Sequence, residues 1–295
     1  VLTNHYKKVL KNNLKALIEI HFAVFLFGLS GLIGKLISLP PMLIVLGRTG
    51  FASLALLIIL KISGNIRFNI NKNHLFLISA TGVLLAFHWF CFFYAIHIST
   101  VAIGLLTFSS FPLFVTFLEP LAFKEKLKLQ DVLLAGLVVI GLILVVPAYD
   151  LSNQITLGVI WGILSGFTFA ILSLLNRSFT KQYPALQITF LQNCSAALVL
   201  LPTVFFLEFN FQIQDYFLIP ILGIFCTALS FGLFVKSLKI LSAKTIGLIM
   251  SLEPLYGILL AIWIIKEIPS GKTIMGGIII LGAVSIESFL QNRKL

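Results

Sequence analysis

Charge is scarce in this chain. Of 295 residues, 11% are Asp, Glu, Lys or Arg, and the aspartates number three: Asp131, Asp150 and Asp215. A soluble domain of this length covers its surface with roughly a quarter charged residues, so that class is excluded. Long polar connections are also lacking, and no loop could fold as a domain of its own. Cys91, Cys194 and Cys226 are the only cysteines, and all lie inside apolar runs. That argues against a disulfide framework and leaves packing as their role. The spacings that mark enzymes are missing too: no H-E-x-x-H, no G-x-S-x-G, no phosphate-binding loop and no metal-ligand cluster. An intramembrane protease would want two facing aspartates, and all three here fall at segment ends or in loops. No catalytic residue, cofactor or metal is expected.

What the chain has is apolar length. It is 59% hydrophobic with a mean hydropathy of +1.08, in runs of about twenty residues. At about 1.5 Å per residue, such a run crosses a hydrocarbon core of about 30 Å. The fold class expected is an all-α integral membrane protein. Ten spans are read, at about 16–36, 41–62, 74–97, 100–123, 128–147, 155–177, 184–207, 216–238, 243–265 and 271–290. The net charge of +11 would suggest nucleic acid in a soluble protein. Here the basic residues sit between the runs, so the bilayer is the partner and nucleic acid is not. Lys7, Lys8, Lys11 and Lys15 precede the first run, as in a signal peptide. That run is too long for one and ends at Lys35 and Pro40-Pro41 without a cleavage site, so residues 1–15 are read as a cytoplasmic segment before a retained helix.

Orientation and symmetry follow from spacing. Seventeen of the 21 Lys and Arg fall in connections on the N-terminal side and three on the other, with Arg48 inside a span. By the positive-inside rule both termini are cytoplasmic, in the inner membrane. Pro112 and Pro254 are 142 residues apart, and so are Lys124-Glu125 and Lys266-Glu267. Ser109-Ser110-Phe111-Pro112 aligns with Ser251-Leu252-Glu253-Pro254. Pro40 and Arg48 fall opposite Pro184 and Gln192 at an offset of 144. A five-helix unit over 16–147 therefore recurs over 155–290. Because five is odd, the second copy enters from the other side, giving two inverted five-helix repeats.

The stretch the chain is organised around is Ser251–Glu267, because of what is costly there. Glu253 stands in an apolar run, where a charge costs at least about 2.5 kcal/mol, and Pro254 removes a backbone donor beside it. Pro112 is its counterpart, and Gly28 joins the two prolines as a candidate break or gate. Arg48 lies about 10 Å into the second span; it must pair, reach the surface or bind an anion. His88 and Trp89 sit near the middle of the third span, and Trp89 and Tyr94 offer flat faces to a ring or cation. Ser109 and Ser110 complete the candidate cavity lining, with Gln192, Asn193 and Ser230 as further polar positions. Each has a plainer reading as a satisfied group between packed helices. Glu19, His21 and Glu119 are read as surface or gate residues, and Gly158, Gly162 and Gly166 as a close-packing seam.

Glu253-Pro254 followed by Lys266-Glu267, with Phe111-Pro112 and Lys124-Glu125 as first-half counterparts, resembles the EamA-type signature of the drug/metabolite transporter superfamily. Gly28, Lys35 and Arg48 are also similar to the family pattern. Lys266 departs from it, standing where a glycine commonly precedes the Glu; a surface position would make this harmless. The resemblance implies a secondary transporter working by alternating access as an exporter, exchanger or facilitator. Its cargo would be a small polar metabolite: an amino acid, a nucleotide-related metabolite or a drug-like compound. It also implies a central cavity lined partly by the third helix. Glu253 then has two roles open to it, counter-charge for a cationic substrate or carrier of a coupled proton. A membrane-embedded transferase and a passive channel or scaffold are the alternatives.

Overall fold

The computed structural model describes residues 2–64, 70–124, 127, 129–145, 150, 152–250 and 252–292, with the side chains of 2–11, Ala243, Lys244, Leu248, Val284 and those beyond Ile286 left aside. Glu125 and Ser251 lie outside the described residues, as do Arg67, Lys126, Lys128, Arg293 and Lys294 among the 21 basic residues counted above and Pro147 at the end of the first repeat. Within them every regular element is helical. Seven segments are long and apolar enough to cross a membrane, and shorter apolar helices cover Leu129–Val145, Glu253–Ile264 and Gly271–Ala283. Large apolar side chains such as Phe76, Leu121, Ile160 and Trp263 face outward. In water that surface would be a liability; in lipid it is the required one. The chain is an all-α multi-pass membrane protein.

The helices run α1 (Leu2–Leu36), α2 (Pro41–Ile62), α3 (Lys72–Ile98), α4 (Val101–Phe108), α5 (Phe111–Phe123), α6 (Leu129–Val145), α7 (Gln154–Phe179), α8 (Ala185–Leu200), α9 (Asp215–Gly223), α10 (Ser230–Ser237), α11 (Ala243–Met250), α12 (Glu253–Ile264) and α13 (Gly271–Asn292). Their starts are written locally. Pro40 and Pro184 precede α2 and α8 in matching extended backbone, φ −54° and −62°, at a place where a missing N–H is harmless. Asn71, Thr100 and Asn153 accept backbone N–H groups at the starts of α3, α4 and α7.

Three interruptions matter for the site. The spans expected at 100–123 and 243–265 are each two helices: α4 breaks from α5 at Ser109-Ser110, and α11 from α12 before Glu253. Pro112 and Pro254 fall in the first turn of the second helix in each pair. Proline at that position lacks an N–H that the first turn does not use, so a helix restarts there, whereas Pro120 and Pro220 lie inside α5 and α9, which continue through them. Gly28 is no break, because α1 continues through it. The third interruption was not expected: between α9 and α10, Ile224–Leu229 form a π-helical segment. The segment itself holds no proline; Pro220 stands four residues before it, inside α9.

Helix α1 lies centrally, against α12, α10 and α3; α3 packs on α7 and α8; α6 and α13 form a peripheral pair. At one end of the bundle Lys35 meets the end of α3 and Ser38 the start of α9. At the other, Lys236 in the last turn of α10 pairs with Glu19 of α1 at 2.6 Å, and His74 meets Tyr183. The glycine seam on α7 carries α4: an added Cβ on Gly158, Gly162 or Gly166 would strike Ser99, Thr107 or Ser110.

Candidate functional site

Three helices deliver four of the expected residues to one place. Arg48 from α2, His88 and Trp89 from α3 and Glu253 from the first turn of α12 line a central cavity with Phe27, Ser30, Phe92, Phe108, Phe169 and Met250. The cavity is tight: the centre of a water molecule has about 20 Å³ in which to move, room for about one water. Arg48 is 1% exposed, and His88, Trp89 and Glu253 are 3% exposed. Two charged side chains are therefore sealed inside aromatic walls.

Arg48 is gripped from two directions. Its guanidinium lies 3.9 Å from the centre of the Trp89 ring, a cation–π contact strengthened by exclusion of water. Its Nε donates to Thr227 Oγ1 at 2.9 Å and its Nη2 to the Cys226 carbonyl at 3.1 Å. Both acceptors belong to the π-helical segment. Glu253 forms no ion pair with Arg48, and its Oε2 has no hydrogen-bond partner among the described residues. A buried carboxylate oxygen left without a donor is among the most expensive arrangements in a protein interior.

His88 is anchored to α7. Its Nδ1 lies 3.0 Å from both the carbonyl and hydroxyl oxygens of Ser165. A carbonyl only accepts, so Nδ1 carries the proton and Nε2 is the acceptor. The Ser165 hydroxyl in turn donates to the His88 carbonyl at 3.3 Å. The ring rests on Phe169, centroids 4.8 Å apart. Phe169 also packs on Phe108, Phe111 and Phe234, forming one wall of the cavity.

The remaining expected residues do not reach this cavity. Tyr94 is five positions beyond Trp89, about 140° around the helix, and packs on Phe90 and Trp161 instead. The Ser109 hydroxyl bonds back to the Leu105 carbonyl, and Ser110 is pressed against Gly166. Gln192 donates to Thr81 and Asn176, both at 2.7 Å, in a separate polar knot between α3, α7 and α8. Asn193 bonds to the Thr189 carbonyl, and Ser230 is buried away from the cavity. Glu119 is no surface residue: it is fully buried and pairs with Arg177. Among residues the sequence reading missed, Phe92 shares the Trp89 face at i+3 and was findable. Phe169 was one of 28 phenylalanines, and nothing distinguished it. Cys226 and Thr227 depend on the π turn.

One end of the bundle over this cavity is clasped. Lys35 Nζ donates to the Ile96 and Ser99 carbonyls at 2.9 Å, where α3 ends. Glu267 Oε1 accepts the Val101 N–H at 2.7 Å, where α4 begins. Cation at a helix C-terminus and anion at an N-terminus both follow the helix dipole.

A bundle of this kind, with charged groups walled inside it and helices broken beside them, belongs to the class of membrane carriers. The EamA-like transporter family matches the chain twice, over residues 14–146 and 156–289; the chain belongs to that family, whose members are transporters rather than enzymes. A Bacillus subtilis protein described as uncharacterized transporter YxxF is 26% identical over 255 residues, 85% of this chain and 82% of that one. An uncharacterized transporter of Archaeoglobus fulgidus is 29% identical over 192 residues, 65% of this chain and 68% of its own. A solved crystal structure with 17% identity superposes with a TM-score of 0.72 over 95% of this chain and 98% of that chain, a likeness of fold.

Proposed function

We propose that this transporter moves a small metabolite bearing both an anionic and a cationic or donor group, by alternating access at the Arg48–Glu253 cavity. The observation that carries the reading is the pair itself. An arginine and a glutamate from different helices share one cavity with no hydrogen bond between them, and a charge on either is expensive to keep there. A fixed ion pair would have satisfied them. A substrate carrying the complementary charges satisfies them only while bound. One cation offset by one anion also disfavours phosphorylated metabolites with two negative charges, and the aromatic walls favour a flat or apolar body between the charged ends.

The same reading takes the chain as ten spans in two inverted five-helix repeats, 16–147 and 155–290, in an inner membrane with both termini cytoplasmic. Supporting it are the paired breaks at α4/α5 and α11/α12, the matching Pro40 and Pro184 starts, and the biased distribution of Lys and Arg. The near-closed cavity suits a stage between openings.

Purified protein in liposomes tests it. Thermal shifts with single amino acids, nucleosides, S-adenosylmethionine and phosphorylated metabolites find the ligand class. Arg48→Gln and Glu253→Gln keep shape and lose charge; each should weaken ligand binding and transport by at least about tenfold, the 1.4 kcal/mol scale of one lost charged contact. If Glu253 carries a proton, substrate-for-substrate exchange survives in Glu253→Gln while uphill transport is lost. Wild-type binding in both variants would end the reading.

A further inference from the structure

Resting on that reading, we propose that Thr227 is the positioning residue for Arg48, and that the π turn it sits in fixes which edge of the guanidinium is left for the ligand. In an ordinary helix a threonine hydroxyl bonds back three or four residues. Here Thr227 Oγ1 donates five residues back, to the Leu222 carbonyl at 2.7 Å, a reach that the wider π turn of Ile224–Leu229 provides. Its proton is thereby committed, and its lone pairs face Arg48 Nε, which donates to them at 2.9 Å.

The consequence is read on the guanidinium nitrogens. Nε is taken by Thr227 and Nη2 by the Cys226 carbonyl. Nη1 has no hydrogen-bond partner among the described residues, and Arg48 lines the cavity. Trp89 covers one face of the group, so it cannot rotate to present a different edge without losing that contact. An arginine normally offers a fork of two parallel N–H groups to a carboxylate. This one has its Nε–Nη2 side edge occupied by the protein and keeps for a ligand the Nη1 end, with the second Nη2 N–H beside it. Thr227 therefore sets how strictly the cavity demands an anionic group and from which direction that group approaches. Released from Thr227, the guanidinium regains freedom to turn and the demand loosens.

Two arms test this. The chain has four arginines, at 48, 67, 177 and 293, so Nε–H signals from ¹⁵N-arginine-labelled protein in nanodiscs resolve singly; the Arg48 signal is the one lost in Arg48→Lys. In wild type and Thr227→Ser it should be protected from solvent exchange, and in Thr227→Val, which keeps shape without the acceptor, it should exchange faster by at least about tenfold. Protection unchanged in Thr227→Val overturns the positioning. In the second arm the probes are neutral amino acids and their carboxamides, which lack the anionic group. Preference for acid over amide should fall about tenfold in Thr227→Val, the usual scale of one charge-assisted bond. Thr227→Ser should restore it, and Thr227→Val should add nothing in the Arg48→Gln background. If Arg48→Gln abolishes the preference and Thr227→Val leaves it intact, the inference fails and the transport reading stands. If Arg48→Gln itself has no effect, the reading beneath it has failed. A shared loss in thermal stability without change in acid-to-amide preference would mark Thr227 as packing only and overturn the proposal.

Discussion

Lys124 and Lys266 have φ of 56° and 57°, and among the described residues no other non-glycine has positive φ. A side chain in that region costs roughly 1–2 kcal/mol, and glycine does not bear the penalty. This explains physically why glycine suits the position before the Glu, and it corrects the expectation that exposure alone makes a lysine there harmless. Exposure removes the packing conflict but leaves the backbone one. Lys266→Gly should therefore stabilise the protein by about 0.5–1 kcal/mol after glycine's extra chain entropy is subtracted. A melting temperature raised by a few degrees in detergent checks it; an unchanged or lower one would show that Lys266 makes a compensating contact. At the same scale Glu253, Arg48, His88 and Trp89 were legible in the sequence because polar groups are expensive in an apolar run and so draw notice. Their neighbours Phe27, Phe108 and Phe169 were not, because an aromatic in a membrane span is cheap wherever it points. Tyr94 shows the converse error: depth was right and helix face was wrong, and only angle decides what a side chain meets.

Helices show how far pattern carries. Proline announced both breaks, since it lacks the N–H that an unbroken helix needs, and the breaks fall where Pro112 and Pro254 begin new helices. The π segment was invisible: nothing in Ile224–Leu229 marks where the helix widens, and Thr227 reads as any threonine in an apolar run. Glu267 was noted as part of a motif, but its work is visible only in space. It caps α4 by accepting the Val101 and Ala102 N–H groups while Lys35 holds the last carbonyls of α3. The turn between α3 and α4 is thus held from both sides. Glu267→Ala leaves the start of α4 without its acceptor and should cost about 1 kcal/mol. It should also increase labelling of a cysteine placed at Ser99, measured on a cysteine-free background; labelling equal to that of the parent would show that the clasp does not restrain the turn.

For the whole molecule, the apolar runs predicted a helical membrane protein, and that held, because twenty apolar residues have few other places to be. The proposed orientation makes a sharp prediction of its own. Cysteines at Asn71 and Asp150 should be labelled from opposite faces, Asn71 from the cytoplasm and Asp150 from outside. Labelling of both from one face would remove the inverted arrangement. Inside that frame, Gly28 of α1 and Gly257 of α12 touch backbone to backbone: a Cβ on Gly28 would lie 2.9 Å from the Glu253 carbonyl oxygen, and one on Gly257 would lie 3.0 Å from the Gly28 carbonyl oxygen. With no side chain between them the two helices have no soft layer on which to slide. Glu253 is thereby mounted on a fixed jaw, with Phe27 and Ser30 beside it, while Arg48 hangs from α2 and the π turn on the opposite one. On the proposed transport reading the cavity acts as a caliper: widening that moves Arg48 away from the carboxyl of Glu253 makes the span between a cargo's two charged ends the quantity that is gauged.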